Sequence, residues 1–158
     1  MDLVYEKQSP DGGMWGPLLE KVWAKTNGYY KRLENGIPPE AFDFLTGAPS
    51  TRYRLDELNV DAAFDLIHEA DKIDHIITCA TDGEGKHIML NSFGLPKNHA
   101  YSLINTYTIK DKSGKVTNRL YMIRNPLGYD HGFWNGPWND KDTVRWTEEH
   151  KKQVPFKN

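Results

Sequence analysis

The stretch from Lys97 to Gly128 constrains the fold of this chain more than any other. Ala100 to Ile109 and Val116 to Arg124 are rich in Tyr, Ile, Leu, Thr and Val, the residue types that suit a pleated, half-buried surface. Between them Asp111-Lys112-Ser113-Gly114 supplies turn residues. The pattern predicts an antiparallel β-hairpin. A turn centred on Lys112 places His99, at the start of the first strand, directly across from Asn125, at the end of the second. Residues opposed in this way share a face, with Cβ atoms ~4.5–5.5 Å apart. A turn displaced by one residue would send them to opposite faces.

The pairing matters because the two nitrogens of an imidazole have separate duties. A hydrogen bond to one fixes what the other can do. A carboxamide that orients an imidazole in this way is part of the Cys-His-Asn arrangement, in which the ring works with a thiolate. Taken by itself the hairpin also admits a plainer reading, in which His99 ends a strand and Asn125 begins a turn before Pro126.

Composition bounds the rest. At 158 residues the chain is long enough for one domain with a core, or for one lobe of something larger. Aromatic residues make up 12% of it, with five Trp and eight Tyr, which argues against disorder. The net charge of −2 is mixed along the chain, so no basic stripe recommends a nucleic-acid partner. No apolar run reaches the ~20 residues that span a bilayer. The first residues, Met1 to Gly13, lack the apolar segment of a signal peptide. The single cysteine, Cys79, excludes an internal disulfide framework and suits a reducing compartment, so a cytoplasmic protein is expected.

Along the chain, residues 1–13 read as a lead-in and 14–158 as a single subdomain. Trp15, Leu18, Leu19, Val22 and Trp23 follow helical spacing, with Pro17 in the first turn and Gly28 after the last. Tyr29 to Leu33 predicts a short helix or turn, and Pro38 to Leu45 one or two helical turns. Arg52 to Leu58 reads as extended. Asn59 or Asp61 caps a helix from about Val60 to Ile73 with Ala63, Phe64, Ile67 and Ala70 on one face. His75 to Thr81 predicts a mostly buried strand containing Cys79, and Thr143 to Trp146 a strand edge. Thr147 caps a final short helix whose Glu148 and Glu149 suit its positive end. Helices first and antiparallel strands later give an α+β class.

Several segments, in order, resemble the calpain family of cysteine proteases. Trp15 to Lys25 is similar to the family's W-x-x-L-L-E-K-A-Y-A-K helix, and Asn27-Gly28-Tyr29-Tyr30 to its continuation. Glu40 to Gly47 resembles E-A-x-x-D-x-T-G-G. Lys97-Asn98-His99-Ala100-Tyr101-Ser102 resembles the G-H-A-Y-S sequence that carries the catalytic His. Arg124-Asn125-Pro126-Leu127-Gly128 resembles R-N-P-W-G, which carries the catalytic Asn. Trp134 to Asp140 is similar to W-x-G-x-W-S-D. The resemblance runs from about Val4 to Val154.

What the resemblance implies is the His/Asn-bearing second half of the protease core, a papain-like C-terminal lobe with an antiparallel sheet and flanking helices at one side. His99 and Asn125 are then the catalytic pair. The nucleophilic Cys belongs to the first half, absent here, so this chain alone is expected to be inactive. Cys79 falls at a buried strand position, where a thiol behaves as a small hydrophobe. Leu127 stands where the family has a Trp that shields the His–Asn hydrogen bond. Trp134 and Trp138 are candidates for a wall of the substrate cleft, since aromatic side chains line clefts. Asp140 matches a family calcium-ligand position and Asp130 can substitute at another. Calcium takes ~6–8 oxygen ligands, so it is expected in the full-length parent and not in this chain alone. The expected partners are protein or peptide substrates and the Cys-bearing lobe in cis. No histidine pair has H-E-x-x-H spacing, so no zinc site is expected. The alternatives are a protease-like lobe kept as an inactive scaffold or interaction module, and a generic α+β binding domain.

Overall fold

The structure is a computed structural model, which describes residues 9–33, 36–83, 89–126 and 133–154. The chain divides into two compact units, residues 1–52 and 53–158. The sequence reading had one subdomain from residue 14 onward. The division falls in the exposed, extended stretch after Pro49, where the backbone joins neither helix nor sheet.

In the first unit, α1 (Trp15–Thr26) ends where Asn27 N–H bonds to Trp23 O at 3.1 Å, and Gly28 follows with φ +97°. A 3₁₀ turn, Tyr30–Leu33, follows. The helix α2 (Pro38–Thr46) begins with two prolines, whose missing N–H groups cost nothing in a first turn, and closes on Gly47 at φ +66°. Trp23 packs on Phe44 with ring centroids 4.6 Å apart. Of the apolar stripe of α1, Trp15, Leu18 and Val22 are exposed.

In the second unit the extended segment expected over Arg52 to Leu58 contains a 3₁₀ turn, Leu55–Glu57. Helix α3 (Val60–Lys72) is capped by Asn59, whose Oδ1 accepts from Asp61 N–H at 2.9 Å. Among the described residues the sheet has three antiparallel strands in the order β1 (Thr78–Ala80), β2 (Ala100–Lys110), β3 (Val116–Arg124). The strand expected over His75 to Thr81 is therefore shorter. Among the described residues it pairs with β2 alone, at the sheet's edge, and Ile76 is 69% exposed. Thr143 to Trp146 is a turn and no strand. The Asp142 carboxylate collects the Trp138 N–H at 2.9 Å and the Arg145 N–H at 3.1 Å, which curls the segment back on itself. Thr147 caps α4 (Glu148–Gln153), and the Gln153 amide pairs with both backbone groups of Lys110, at 2.8 and 3.0 Å.

The hairpin register differs from the expected one. Ser102 lies opposite Arg124, where a turn centred on Lys112 would have put it opposite Met122. Asp111 is responsible: its Oδ1 accepts from Ser113 N–H at 2.8 Å and Lys115 N–H at 3.1 Å, and Gly114 takes φ +85°. The loop thus centres on Ser113, the three-residue type with a left-handed glycine. Two bulges then follow. Thr117 is the extra residue on β3, between the Lys110–Val116 and Ile109–Asn118 pairs. Ile104 is the extra residue on β2, between Asn105–Met122 and Leu103–Ile123. Each bulge reverses which residues share a face, and together they cancel.

One face of this sheet carries α3. Phe64 packs on Tyr121 at 5.3 Å between centroids, and Arg119 lies over the Phe64 ring while pairing with Asp61 and Asp65. Between helix and strand, Thr106 Oγ1 donates to Asp71 Oδ2 at 2.6 Å and accepts from His68 Nδ1 at 2.7 Å. Thr106 is buried, as are Phe64, Tyr101, Ile109 and Val154.

Candidate functional site

At the other end of the same sheet face, His99 and Asn125 meet. His99 immediately precedes β2 and Asn125 immediately follows β3. One step beyond the Ser102–Arg124 pair, Asn125 lies across from Tyr101 and diagonal to His99. Diagonal neighbours on one face are within reach of long side chains. The His99 Nε2 to Asn125 Oδ1 distance is 2.9 Å. Direct opposition is thus corrected to a diagonal contact, displaced by an even number of residues that preserves the face. The Ile104 bulge is decisive for this. Had the register of the Asn105–Met122 pair continued, Asn125 would share a face with Ser102 and Ala100, and not with His99.

An amide oxygen only accepts, so the nitrogen bonded to it carries the proton. That leaves Nδ1 of His99 as the nitrogen able to take up and release a proton. The ring is half-buried, and Tyr101 stands edge-on to it at 4.8 Å between centroids. Tyr101 is 2% exposed, and burial pushes its phenol above the ordinary tyrosine value.

Two local features deliver His99. Asn98 has φ +49°, a left-handed conformation that Asn tolerates better than most side chains. It occupies the place of the glycine in the motif that this segment resembles. Thr81, which the sequence reading assigned only to a strand, holds the His99 backbone: its N–H donates to His99 O at 2.9 Å, and its Oγ1 accepts from His99 N–H at 3.2 Å. The available signal was its place at the end of the Ile76 to Thr81 run, next to the Asp82-Gly83 turn.

The other expected site residues are placed as follows. Cys79 lies opposite Tyr101 in the β1–β2 ladder, and burial raises its thiol pKa. Such a thiol is a poor nucleophile at neutral pH. Trp134 stacks on Phe93 at 5.0 Å between centroids and donates its Nε1–H to Pro137 O at 2.7 Å. Close packing locks this pair: a Cβ on Gly94 would sit 2.4 Å from Phe133 O, and one on Gly136 would sit 2.4 Å from the Trp134 ring. Trp138 instead packs against Trp146 and His150, at 4.9 and 5.3 Å, beside the final helix. Leu127 and Asp130 lie outside the described residues, as does His131. Asp140 is exposed, and among the described residues no group of three or more His, Cys, Asp or Glu side chains is arranged to hold a metal ion. Asp142, not singled out in the sequence, has its carboxyl held below the usual range, first by the Trp138 N–H and also by Arg145.

The domain description "Calpain family cysteine protease" matches residues 1–158. The chain belongs to the calpain family of cysteine proteases. It is 31% identical over 140 residues to calpain-9 of Mus musculus, covering 87% of this chain and 20% of that protein. It is 29% identical over 161 residues to calpain-A of Drosophila melanogaster, covering 97% and 19%. A calpain-type cysteine protease of Oryza sativa subsp. japonica, ADL1, is 32% identical over 152 residues, covering 90% and 7%. This calpain-family chain therefore spans about a fifth of the length of the animal relatives. Among its described residues, no helix is long and apolar enough to cross a membrane.

Proposed function

We propose that this chain contributes the His/Asn half of a papain-like protease core within a longer cytoplasmic cysteine endopeptidase. The observation that supports this is the 2.9 Å contact between His99 Nε2 and Asn125 Oδ1, which leaves Nδ1 for chemistry. In the reading, a thiolate from the Cys-bearing lobe attacks the carbonyl carbon of a peptide or protein substrate. As the C–N bond breaks, Nδ1–H of the His99 imidazolium protonates the departing amine. His99 then takes a proton from water as that water attacks the thioester, and the sulfur leaves as a thiolate, which restores the thiolate–imidazolium pair. Asn125 holds the ring in the orientation both transfers need. The family resemblance implies calcium in the full-length parent, where it would serve to dock the lobes. The described residues of this chain do not assemble a site for it, so no step above depends on it.

A second reading is a protease-like scaffold, favoured by Leu127 in place of the family's shielding Trp.

The test is hydrolysis of a fluorogenic peptide by the full parent polypeptide, with and without calcium. Thiol-dependent hydrolysis should fall by ~10²–10⁴-fold on His99→Ala, the contribution typical of a general acid–base. The 158-residue chain alone should show none. Undiminished activity of His99→Ala, or activity from this chain alone, would overturn the reading, and a parent without thiol-dependent activity would establish the scaffold.

A further inference from the structure

The ladder between β1 and β2 runs regularly through Ala80 and Ala100, and one residue later it changes character. Thr81 N–H still donates to His99 O at 2.9 Å. The His99 N–H, however, goes to the Thr81 hydroxyl at 3.2 Å. That same oxygen lies 2.6 Å from Pro96 O and 3.3 Å from His99 O, so its single proton is directed to Pro96. Pro96 O and His99 N–H are the two groups that would close a four-residue turn by bonding to each other. Here the Thr81 hydroxyl is inserted between them, accepting from one and donating to the other. Asn98, third of the four, has the positive φ found at that position in a type II turn.

The Pro96 side of this turn is fixed independently. Pro96 is fully buried, it bridges to Leu90, and its carbonyl also receives the Tyr101 hydroxyl at 3.5 Å. Tyr101 in turn stands edge-on to the His99 ring. One hydroxyl just beyond the end of β1 therefore couples a buried anchor to the backbone of the residue whose ring meets Asn125.

We propose that Thr81 is a positioning residue for His99, acting through its hydroxyl to hold the Pro96–His99 turn and thereby the Nε2–Asn125 contact. Its relevance to catalysis rests on the protease reading, but the positioning itself is a property of this chain. A methyl group in place of the hydroxyl keeps the branched shape and removes both bonds. His99 N–H and Pro96 O then have to close on each other or on water, and the start of β2 moves. In a catalytic parent, misplacement by about 1 Å costs on the order of 10²-fold in rate, expected in kcat with KM retained.

The experiment uses the 158-residue chain labelled with ¹⁵N. Nitrogen shifts of the His99 imidazole report which nitrogen carries the proton above the ring's titration. The unmodified chain should show the Nε2-protonated form, Thr81→Val a mixture of both tautomers, and Thr81→Ser the unmodified pattern. Thr81→Ala is read in the same way as Thr81→Val should the latter fail to fold. In the unmodified chain the Thr81 hydroxyl proton should also exchange slowly enough to be seen, with a cross-peak to the His99 amide. A Thr81→Val or Thr81→Ala chain with the unmodified tautomer, or no protected hydroxyl proton, would overturn the role of Thr81 and leave the protease reading standing. An unmodified chain lacking the Nε2-protonated form would overturn both.

Discussion

Replacing Thr106 by Val tests how the sheet face that carries the site is held to α3. Thr106 is 4% exposed, and its hydroxyl donates to the Asp71 carboxylate at 2.6 Å while receiving His68 Nδ1 at 2.7 Å. Valine preserves the branched shape, so no cavity opens. What is lost is one hydrogen bond to a charged group, about 1.5–3 kcal/mol. His68 also loses its acceptor, but it is half-exposed and regains water, which keeps the total near the middle of that range. The Thr106 N–H retains Asp71 Oδ2 at 2.8 Å, so the backbone itself is not stranded. A loss of about 2 kcal/mol corresponds to a ~30-fold larger opening equilibrium constant, and so to ~30-fold faster exchange. Amide hydrogen exchange in β2 and β3 is the assay, because it reports the unit that carries the network independently of residues 1–52. Thr106→Ser, which keeps the hydroxyl and removes one methyl group, should cost about 1 kcal/mol. Exchange of Thr106→Val within threefold of the unmodified chain would refute the assignment. So would a Thr106→Ser chain that loses as much as Thr106→Val.

Asn98 is at φ +49°, so Asn98→Val should lower stability by about 1–2 kcal/mol while Asn98→Gly stays near the unmodified chain, as measured by thermal melting. Equal melting temperatures for the two variants would remove the left-handed turn from the account of how His99 is delivered. Asp142 has a depressed pKa in the fold, so its stabilising contribution is present above the unfolded carboxyl value and is lost as pH falls through the folded one. The Trp138–Trp146 packing should therefore hold from about pH 5 upward and loosen in acid below about pH 4, seen in near-ultraviolet circular dichroism. Asp142→Asn should show a weakened signal at neutral pH and little further change in acid; an acid transition of unmodified size in that variant would count against Asp142.

The strands of the hairpin were legible because β-branched and aromatic residues cluster on both sides of a polar turn. β2 and β3 lie within one residue of the expected limits. The register was not legible. It depends on which backbone groups the Asp111 side chain collects and on bulges at Thr117 and Ile104, neither of which is glycine or carries another sequence mark. The His99–Asn125 contact was nevertheless anticipated, because the register error was even and an even error keeps the face. Motif resemblance pointed to the same two residues without any geometry. Thr143 to Trp146 misled for a different reason: Val and Trp in sequence favour a strand, but Asp142 satisfies the local backbone donors first. The sequence reading drew no boundary near Arg52, although Gly47-Ala48-Pro49-Ser50-Thr51 carries the small, polar and proline residues of a loop. The role of Thr81 depends on the spatial closeness of segments 18 residues apart, which no local pattern carries.

The energetics indicate which way causation runs at the site. A neutral hydrogen bond such as His99–Asn125 contributes only about 0.5–1.5 kcal/mol net. That is too little to select a register against alternatives that would move the whole apolar set of β2 to the other face. The bond is therefore a consequence of the sheet, and the structure that fixes it lies elsewhere: in the Ile104 bulge, the left-handed Asn98 and the Thr81 hydroxyl on one side, and in the α3 clamp at the far end of the same face. In the protease reading, a ring whose Nε2 is already held by Asn125 is the preorganised arrangement that a general acid–base draws on.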